Sequence, residues 1–449
     1  MKSRSFDAAA NIVRTLVEAG HESYLVGGSV RDLIRGIEPR EYDIVTSATP
    51  EQVRALFART VPVGESFGVI LVLEGGRQYE VATFRTERGY ENGRRPSQVE
   101  FSVHVQEDVR RRDFTINGLL MDPLTRRILD YTGGCEDIRN RIIRTIGDPD
   151  ERFSEDHLRM LRALRFAANL DFKIEPDTFS SIKKNASAIR KISAERIRDE
   201  MTKILVRGGA RRGLELMAET GLLAWILPEV DAMRGVDQPR RFHPEGDVWQ
   251  HTLRMLEILS SEKNASTDAR LAWSVLLHDV GKPLTRLEDR SGIHFYGHTR
   301  IGEEIARGVM QRLRFSRSDT ETVAALIHNH MLFMNVMEMR PNRLKRFLRI
   351  PDFPLHLELH RLDCLASHGD LKSYEFCRTK LSELNEEDLR PPRLISGEDL
   401  ISMGFQPGPV FSEILEQVES AQLDHEISTP EEARKYVLER WGDRREDKK

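Results

Sequence analysis

Cysteine is scarce in this chain: Cys135, Cys364 and Cys377 are all there is in 449 residues. Three widely spaced thiols make neither a disulfide framework nor a zinc-binding set, which fits a reducing cytoplasm. Long apolar runs are missing too. None approaches the roughly 20 residues of a membrane-spanning helix. The amino terminus, MKSRSFDAAANIVRTLVEAG, has the spacing of an amphipathic helix without the hydrophobic core of a signal peptide. Internal repeats and low-complexity tracts are likewise lacking. Nor is there an overall basic excess. The net charge is −4, with 31% charged and 39% hydrophobic residues, the composition of an ordinary soluble protein. Residues 141–212 nevertheless hold 17 Lys and Arg against 11 Asp and Glu. A local basic face can bind phosphates even in an acidic chain, although solvated helix faces explain the count equally well.

The length suggests about three domains. Over the first 145 residues, β-rich runs at SYLVGG, YDIVTS, GVILVLE and YEVATFR alternate with helical patterns around 6–20 and 50–59. From about residue 146 strand signals nearly vanish, and segments such as HLRMLRALRFAANL and AERIRDEMTKILV carry apolar residues at helical spacing. Breaks fall near Gly147-Asp148-Pro149, across 231–247 with its Gly235, Pro239, Pro244 and Gly246, and at Pro391-Pro392. The last residues, DRREDKK, read as a charged, disordered tail. The expected class is α+β. A mixed-sheet head over 1–145 precedes helical regions over 146–235, 236–385 and 386–449.

The densest chemistry lies in LVGGSVRDLIRGIEPREYDIVT, residues 25–46. Gly27 and Gly28 end an apolar run and would let backbone approach a phosphate, and the helix after them offers free N–H groups to an anion. Glu41 and Asp43 follow, two residues apart, and side chains at i and i+2 of a strand point the same way. Paired carboxylates suit Mg²⁺, which usually binds substrate phosphates as well. These features together read as a nucleoside triphosphate site with two metals. An isolated acidic pair is more often solvated surface; the Gly-Gly and Arg31-Asp32 argue against that here. The string resembles the signature of the nucleotidyltransferase superfamily that includes DNA polymerase β. It is most similar to the class II tRNA nucleotidyltransferases (CCA-adding enzymes) and bacterial poly(A) polymerases. The family usually has Asp at both acidic positions, and Glu41 departs from that.

The resemblance implies further roles. It implies a polymerase β-like head and offers Glu80, on YEVATFR, as a third metal carboxylate, with a surface glutamate as the competing reading. Arg85 and the stretch Arg88 to Arg95 resemble the family's loop that positions the growing 3′ end. VRRRDFTINGLLMD matches the pattern RRDFT-N-A, with Gly118 in place of the usual Ala. Arg112, Asp113 and Asn117 are expected on one side of a helix start, holding ribose and triphosphate. In ERFSEDHLRMLRALRF, Glu155, Asp156 and Arg159 are expected within one helical turn, with Asp and Arg acting as a protein template for the base. Cytosine and adenine both present an amino donor beside a ring-nitrogen acceptor, which an Asp acceptor beside an Arg donor satisfies. Uracil and guanine present the reverse, costing several kcal/mol, on the order of two unmade hydrogen bonds. Glu155 is expected to orient Arg159. Arg162 and Arg165 continue the face toward phosphates or form plain helix surface. Arg196 and Arg198, on SAERIRDEMTKIL, are expected to be exposed and to brace this neck.

A second ligand set follows. His251, the adjacent pair His278-Asp279 and the distant Asp363 reproduce the ligand order of the HD superfamily of phosphohydrolases. Such a set suits Mn²⁺, Ni²⁺, Fe²⁺ or Mg²⁺. His298, His328 and His330 are candidates for a second metal, although a lone His is more often structural. Gly404, Pro407 and Gly408 form a turn opening a helix, as an RNA-phosphate contact or a simple loop. The resemblance spans nearly the whole chain and implies an enzyme that adds or repairs the 3′-terminal CCA of tRNA, with CTP, ATP and Mg²⁺. Partial CC or A addition and poly(A) synthesis share these residues. An HD-type RNA phosphohydrolase with an inactive head, and a nucleotide sensor without turnover, are readings of other classes.

Overall fold

The computed structural model describes residues 4–64, 68–91, 95–241, 243–261 and 267–442. The tail DRREDKK lies outside them. The chain divides into two compact units. One comprises Met1–Ala232 with Ser260–Ala269 and Val309–Phe315; the other comprises Met233–Leu259, Arg270–Gly308 and Ser316–Lys449.

The first unit opens with α1 (Arg4–Glu18), which buries Ala9, Ile12, Val13 and Leu16 along one stripe. Then come β1 (Ser23–Val26), α2 (Gly28–Ile34), β2 (Asp43–Thr46), α3 (Pro50–Leu56), β3 (Thr60–Gly64), β4 (Val69–Glu74) and β5 (Arg77–Thr83). Thr49 and Gln52 form a reciprocal capping box and Pro50 occupies the first turn, which fixes where α3 begins. A hairpin, β6 (Arg85–Glu91) and β7 (Arg95–Phe101), occupies most of the segment the sequence reads as a loop. The centre of that loop lies outside the described residues. After α4 (Val105–Arg110), short strands β8 (Leu120–Met121) and β9 (Ile128–Leu129) complete a seven-stranded sheet in the order β3-β4-β5-β2-β1-β8-β9. The sheet is mixed, since β1 and β2 are antiparallel while β2 and β5 are parallel.

Helices then dominate: α5 (Gly134–Asn140), α6 (Pro149–Glu155), α7 (Leu158–Leu170), α8 (Pro176–Asn185), α9 (Ala194–Val206), α10 (Ala210–Thr220), α11 (Leu222–Ile226) and α12 (Pro228–Asp231). A two-residue parallel pair, β10 (Ile142–Ile143) with β11 (Lys173–Ile174), ties the start of this region together. Asp148 caps α6 by accepting from the Glu151 N–H, with Pro149 in the first turn, so the expected break is a helix start.

The second unit carries α13 (Val248–Ser261), α14 (Ala269–Leu277), α15 (Lys282–Thr285), a small hairpin of β12 (Leu287–Asp289) and β13 (Gly292–His294), α16 (His298–Arg312) and α17 (Arg317–Asn329). A 3₁₀ stretch, His330–Glu338, leads to α18 (Pro341–Leu348), α19 (Phe353–Ala366), α20 (Lys372–Glu383), α21 (Glu386–Leu389), α22 (Gly397–Ser402), α23 (Pro409–Leu423) and α24 (Pro430–Trp441). The turn Gly404–Gly408 does open a helix, α23. Two cores are separate here. Phe333, Phe347, Phe353 and Cys377 belong to one, and Leu400, Ile414, Val437 and Trp441 to the other. Among the described residues no helix is long and apolar enough to cross a membrane.

Candidate functional site

Strand register builds an acidic corner on the head. Ile44 of β2 pairs with Val81 of β5 in parallel, so Asp43 and Glu80, one residue earlier on each strand, are neighbours on the same face. Ile44 and Val81 are fully buried whereas Asp43 and Glu80 are exposed. Glu41 is exposed too, but it precedes β2, which begins at Asp43. The Asp43 carboxyl is pushed up to about 6, first by its recessed setting, then by Glu80 and Glu41, with Arg112 opposing. Because the group is solvent-accessible, the repulsion among carboxylates is the firmer cause. A cluster of oxygen donors whose negative charge repels itself fits a hard divalent cation.

Gly27 and Gly28 lie beside this corner. Gly27 has φ 73°, and a Cβ there would come within 3.7 Å of Arg112 Nη1. Arg31 is buried; its Nη1 donates to Asn117 Oδ1 at 2.9 Å and its Nε to Asp32 Oδ1 at 3.0 Å. It therefore braces Asn117 from behind.

The RRDFT segment does not start a helix. Phe114 is extended, bridges to Thr145 and packs edge-on against Phe166, leaving only a 3₁₀ turn over Thr115–Asn117. That buried aromatic anchor overrides the local helical spacing. Asp113 Oδ1 accepts from the Phe114 N–H at 2.9 Å and Asn117 Nδ2 at 3.1 Å, and Oδ2 accepts from Arg162 Nε and Nη2 at 2.9 and 2.6 Å. Burial alone would raise the Asp113 carboxyl, but Arg162 and these bonds hold it down at about 2. Arg112 Nη2 donates to Asp108 Oδ2 at 2.9 Å, and the same fully buried carboxylate holds Arg111.

Glu155, Asp156 and Arg159 do not share one helical turn. α6 ends at Glu155, Asp156 is extended, and α7 starts at Leu158. One side chain takes a carbonyl that a further turn would have used, His157 Nδ1 donating to Phe153 O at 2.7 Å, and Arg159 Nη1 donates at 3.1 Å to Arg152 O, which also accepts from the Asp156 N–H. Arg159 is still close to Glu155, Nη1 to Oε2 at 2.5 Å, and its Nη2 donates to Arg111 O at 2.9 Å. The Glu155 carboxylate thus lies against the Arg159 guanidinium. Arg196 is half-buried, not exposed, and its Nη1 and Nη2 donate to Asp156 at 3.2 and 2.7 Å. Arg198 is half-buried as well. Arg165 is buried with Nε 2.6 Å from Glu200 Oε2, while Arg162 keeps 32% of its side chain exposed. Of these two arginines, Arg162 alone faces solvent appreciably.

The second unit gathers its own set. His251 lies on α13, His278 and Asp279 just after α14, and Asp363 on α19. Ligand atoms of His251, His278 and Asp363 lie within 4.8 Å of one another, as do those of Asp279, His298 and His330. His278 Nε2 is 3.1 Å from Asp279 Oδ2, which joins the two groups. His328 stays outside, half-exposed and bound to Glu303 Oε2 at 2.8 Å. Burial lowers the imidazoles of His298 and, to about 3, His330, so both are neutral lone-pair donors. Nε2 of His251 and Nε2 of His278 are buried without a hydrogen-bond partner. Buried polar atoms are rarely left so, and a bound cation would accept both lone pairs.

A CCA-adding enzyme of Enterococcus faecalis (strain ATCC 700802 / V583) is 41% identical over 290 residues, covering 64% of this chain and 71% of that protein. The chain belongs to the CCA-adding enzyme family. Another member, from Ligilactobacillus salivarius (strain UCC118), is 46% identical over 217 residues, 48% of this chain and 54% of its own. The chain spans about half the length of several curated relatives it matches. In three dimensions it resembles the crystal structure of the Bacillus stearothermophilus CCA-adding enzyme in complex with CTP, with a TM-score of 0.76, 28% identity and 99% coverage of both chains. Family models match a Poly A polymerase head domain at 23–144, a probable RNA and SrmB-binding site of polymerase A at 171–234, and an HD domain at 248–354.

Membership in the CCA-adding family with these two domains implies divalent-metal use. Sequence reasoning missed Arg196 as the partner of Asp156, since an exposed-looking arginine on an amphipathic helix gives no sign of what it meets. It also missed His243 and Glu245, which sit beside His251. Their one signal is an acidic residue between histidines in HPEGDVWQH.

Proposed function

We propose that this chain is a template-independent tRNA nucleotidyltransferase that adds or repairs the 3′-terminal CCA from CTP and ATP. The observation that carries the reading is the pairing of Asp43 with Glu80, beside Glu41 and Arg112. Mg²⁺ held by Glu41, Asp43 and Glu80 supplies charge neutralisation for the triphosphate and a more acidic RNA 3′-hydroxyl. That hydroxyl attacks the α-phosphate and pyrophosphate leaves. Gly27 and Gly28 give the triphosphate close access to backbone, and Arg112 and Arg162 draw its negative charge. Asp113 and Asn117, fixed by Arg31 and Arg162, address the ribose hydroxyls. Asp156 accepts the amino group of cytosine or adenine and Arg159 donates to the adjacent ring nitrogen. The assigned regions are a head over 1–145, a base-reading neck over 146–235, an HD body over 236–385 and a tail over 386–449. A cytoplasmic location suits three cysteines that are all free.

The test offers tRNAs ending at the discriminator base, at C and at CC, with Mg²⁺ and each nucleotide singly. Ordered C, C, A addition, abolished by Asp43→Ala, is expected. A alone added onto CC would assign a partial enzyme, long A tails a poly(A) polymerase, and no incorporation would overturn the reading.

The partnerless nitrogens of His251 and His278 favour a second, additional reading for the body. His251, His278, Asp279 and Asp363 hold Mn²⁺, Ni²⁺, Fe²⁺ or Mg²⁺, with His298 and His330 beside them, in a phosphoesterase acting on RNA ends. Metal analysis of wild type against His278→Ala tests it, and equal content would leave the body a scaffold.

A further inference from the structure

The stretch Gly235–Asp247 has the glycines and prolines of a linker, yet its described residues, 235–241 and 243–247, are tied down at several points. Gly235 N–H donates to Asp247 Oδ2 at 2.7 Å, Val248 N–H to Val236 O at 3.0 Å, and Gln250 N–H to Asp247 Oδ1 at 2.7 Å. Asp247 thereby caps α13 and closes the segment into a loop. Pro244 precedes and Gly246, at φ 131°, follows the residue this loop presents, Glu245. The Glu245 side chain is 4% exposed, and its Oε1 lies 2.6 Å from His251 Nδ1 and 3.0 Å from His243 Nδ1. The His243 and His251 rings meet edge-on at 4.9 Å.

This contact decides the chemistry of His251. A carboxylate at Nδ1 holds a proton there, so Nε2 is the nitrogen left to offer a lone pair to a cation. Nε2 is the atom without a hydrogen-bond partner; it lies 3.2 Å from Asp363 Oδ1 without hydrogen-bond alignment and belongs to the group formed with His278 and Asp363. The same loop serves the other half of the cluster: Gln238 Oε1 accepts from Lys282 Nζ at 2.6 Å, and Lys282 Nζ is 2.7 Å from Asp279 Oδ2.

We infer that Glu245 is a positioning residue for the metal site of the body, fixing His251 as an Nε2 ligand, and that Gln238 stands with it in that site's outer shell. Outer-shell carboxylates on ligating histidines affect metal affinity by about 10–100-fold. The inference rests on the metal-site reading above, and the experiment separates the two.

Full-length wild type, Glu245→Ala, Glu245→Gln and His278→Ala are titrated with Co²⁺ at pH 7, following ligand-field absorbance and binding heat. Folding is checked by circular dichroism. Wild type is expected to bind and His278→Ala to lose the site. Glu245→Ala should bind about 10–100-fold more weakly with an altered absorption envelope, and Glu245→Gln, whose amide oxygen still accepts from Nδ1–H, should fall between. Wild-type affinity and spectrum in Glu245→Ala would overturn the positioning role. If the alanine variant does not fold, wild-type affinity in Glu245→Gln does the same. Absence of binding by folded wild type would overturn the metal reading itself, and the role of Glu245 with it.

Discussion

Replacing Asp113 by Asn tests the network that links the head to α7. Its carboxylate accepts four hydrogen bonds, two of them from Arg162 at 2.9 and 2.6 Å. Asn keeps the Oδ1 contacts but turns an N–H donor toward the guanidinium. Breaking a buried pair costs about 3–5 kcal/mol. Here Arg162 is 32% exposed and retains Glu200 at 3.8 Å, which reduces the loss. The expected destabilisation at pH 7 is about 2–3 kcal/mol. Titration gives an independent measure. The folded carboxyl sits at about 2 against an ordinary 3.8. Its contribution is therefore present above about pH 4 and is lost as pH falls through about 2; at 1.36 kcal/mol per pKa unit it is worth about 2 kcal/mol, trimmed to about 1–2 for the solvent reaching Arg162. The assay is amide hydrogen exchange of α7 under increasing urea, which isolates this unit in a chain that need not unfold in one step. Between pH 5 and pH 2 the gap between wild type and Asp113→Asn should narrow by about 1–2 kcal/mol. A gap under about 0.5 kcal/mol at pH 7, the range of an ordinary surface change, or one indifferent to acid, would refute the account.

Two further outcomes follow from the same unit. Arg196→Ala should release Asp156, lowering kcat/KM for CTP and ATP by about 10–100-fold and weakening rejection of UTP and GTP, as for a misplaced reactant-orienting group; selection unchanged from wild type in single-nucleotide incorporation would count against Arg196 as the support of Asp156. Gly134→Ala would set a Cβ 2.2 Å from Thr115 O, which must displace the turn carrying Asn117. A loss of about 1–3 kcal/mol, read as a lower melting temperature of the first unit, is expected from such overpacking.

The difference between what was legible and what was not follows the range of the interactions. YDIV and YEVATF announce two strands and two acids, because alternation is written locally. That Asp43 meets Glu80 depends on β2 and β5 pairing in parallel across an intervening hairpin, and no local pattern records register. The helix break at Asp156 is similar. The segment's apolar spacing continues through it, and at the break the His157 side chain takes the Phe153 carbonyl while Asp156 turns its carboxylate to the distant Arg196. Glu245 was hidden for the opposite reason. Proline and glycine mark an end to regular structure, and a composition-based boundary treats that as an end to contacts as well. The loop around Asp247 separates the two ideas, since an irregular segment held by its own backbone and a helix cap can place a carboxylate as firmly as a strand does. Irregular stretches immediately upstream of a candidate ligand histidine therefore merit the same search for acids as the helix that bears it.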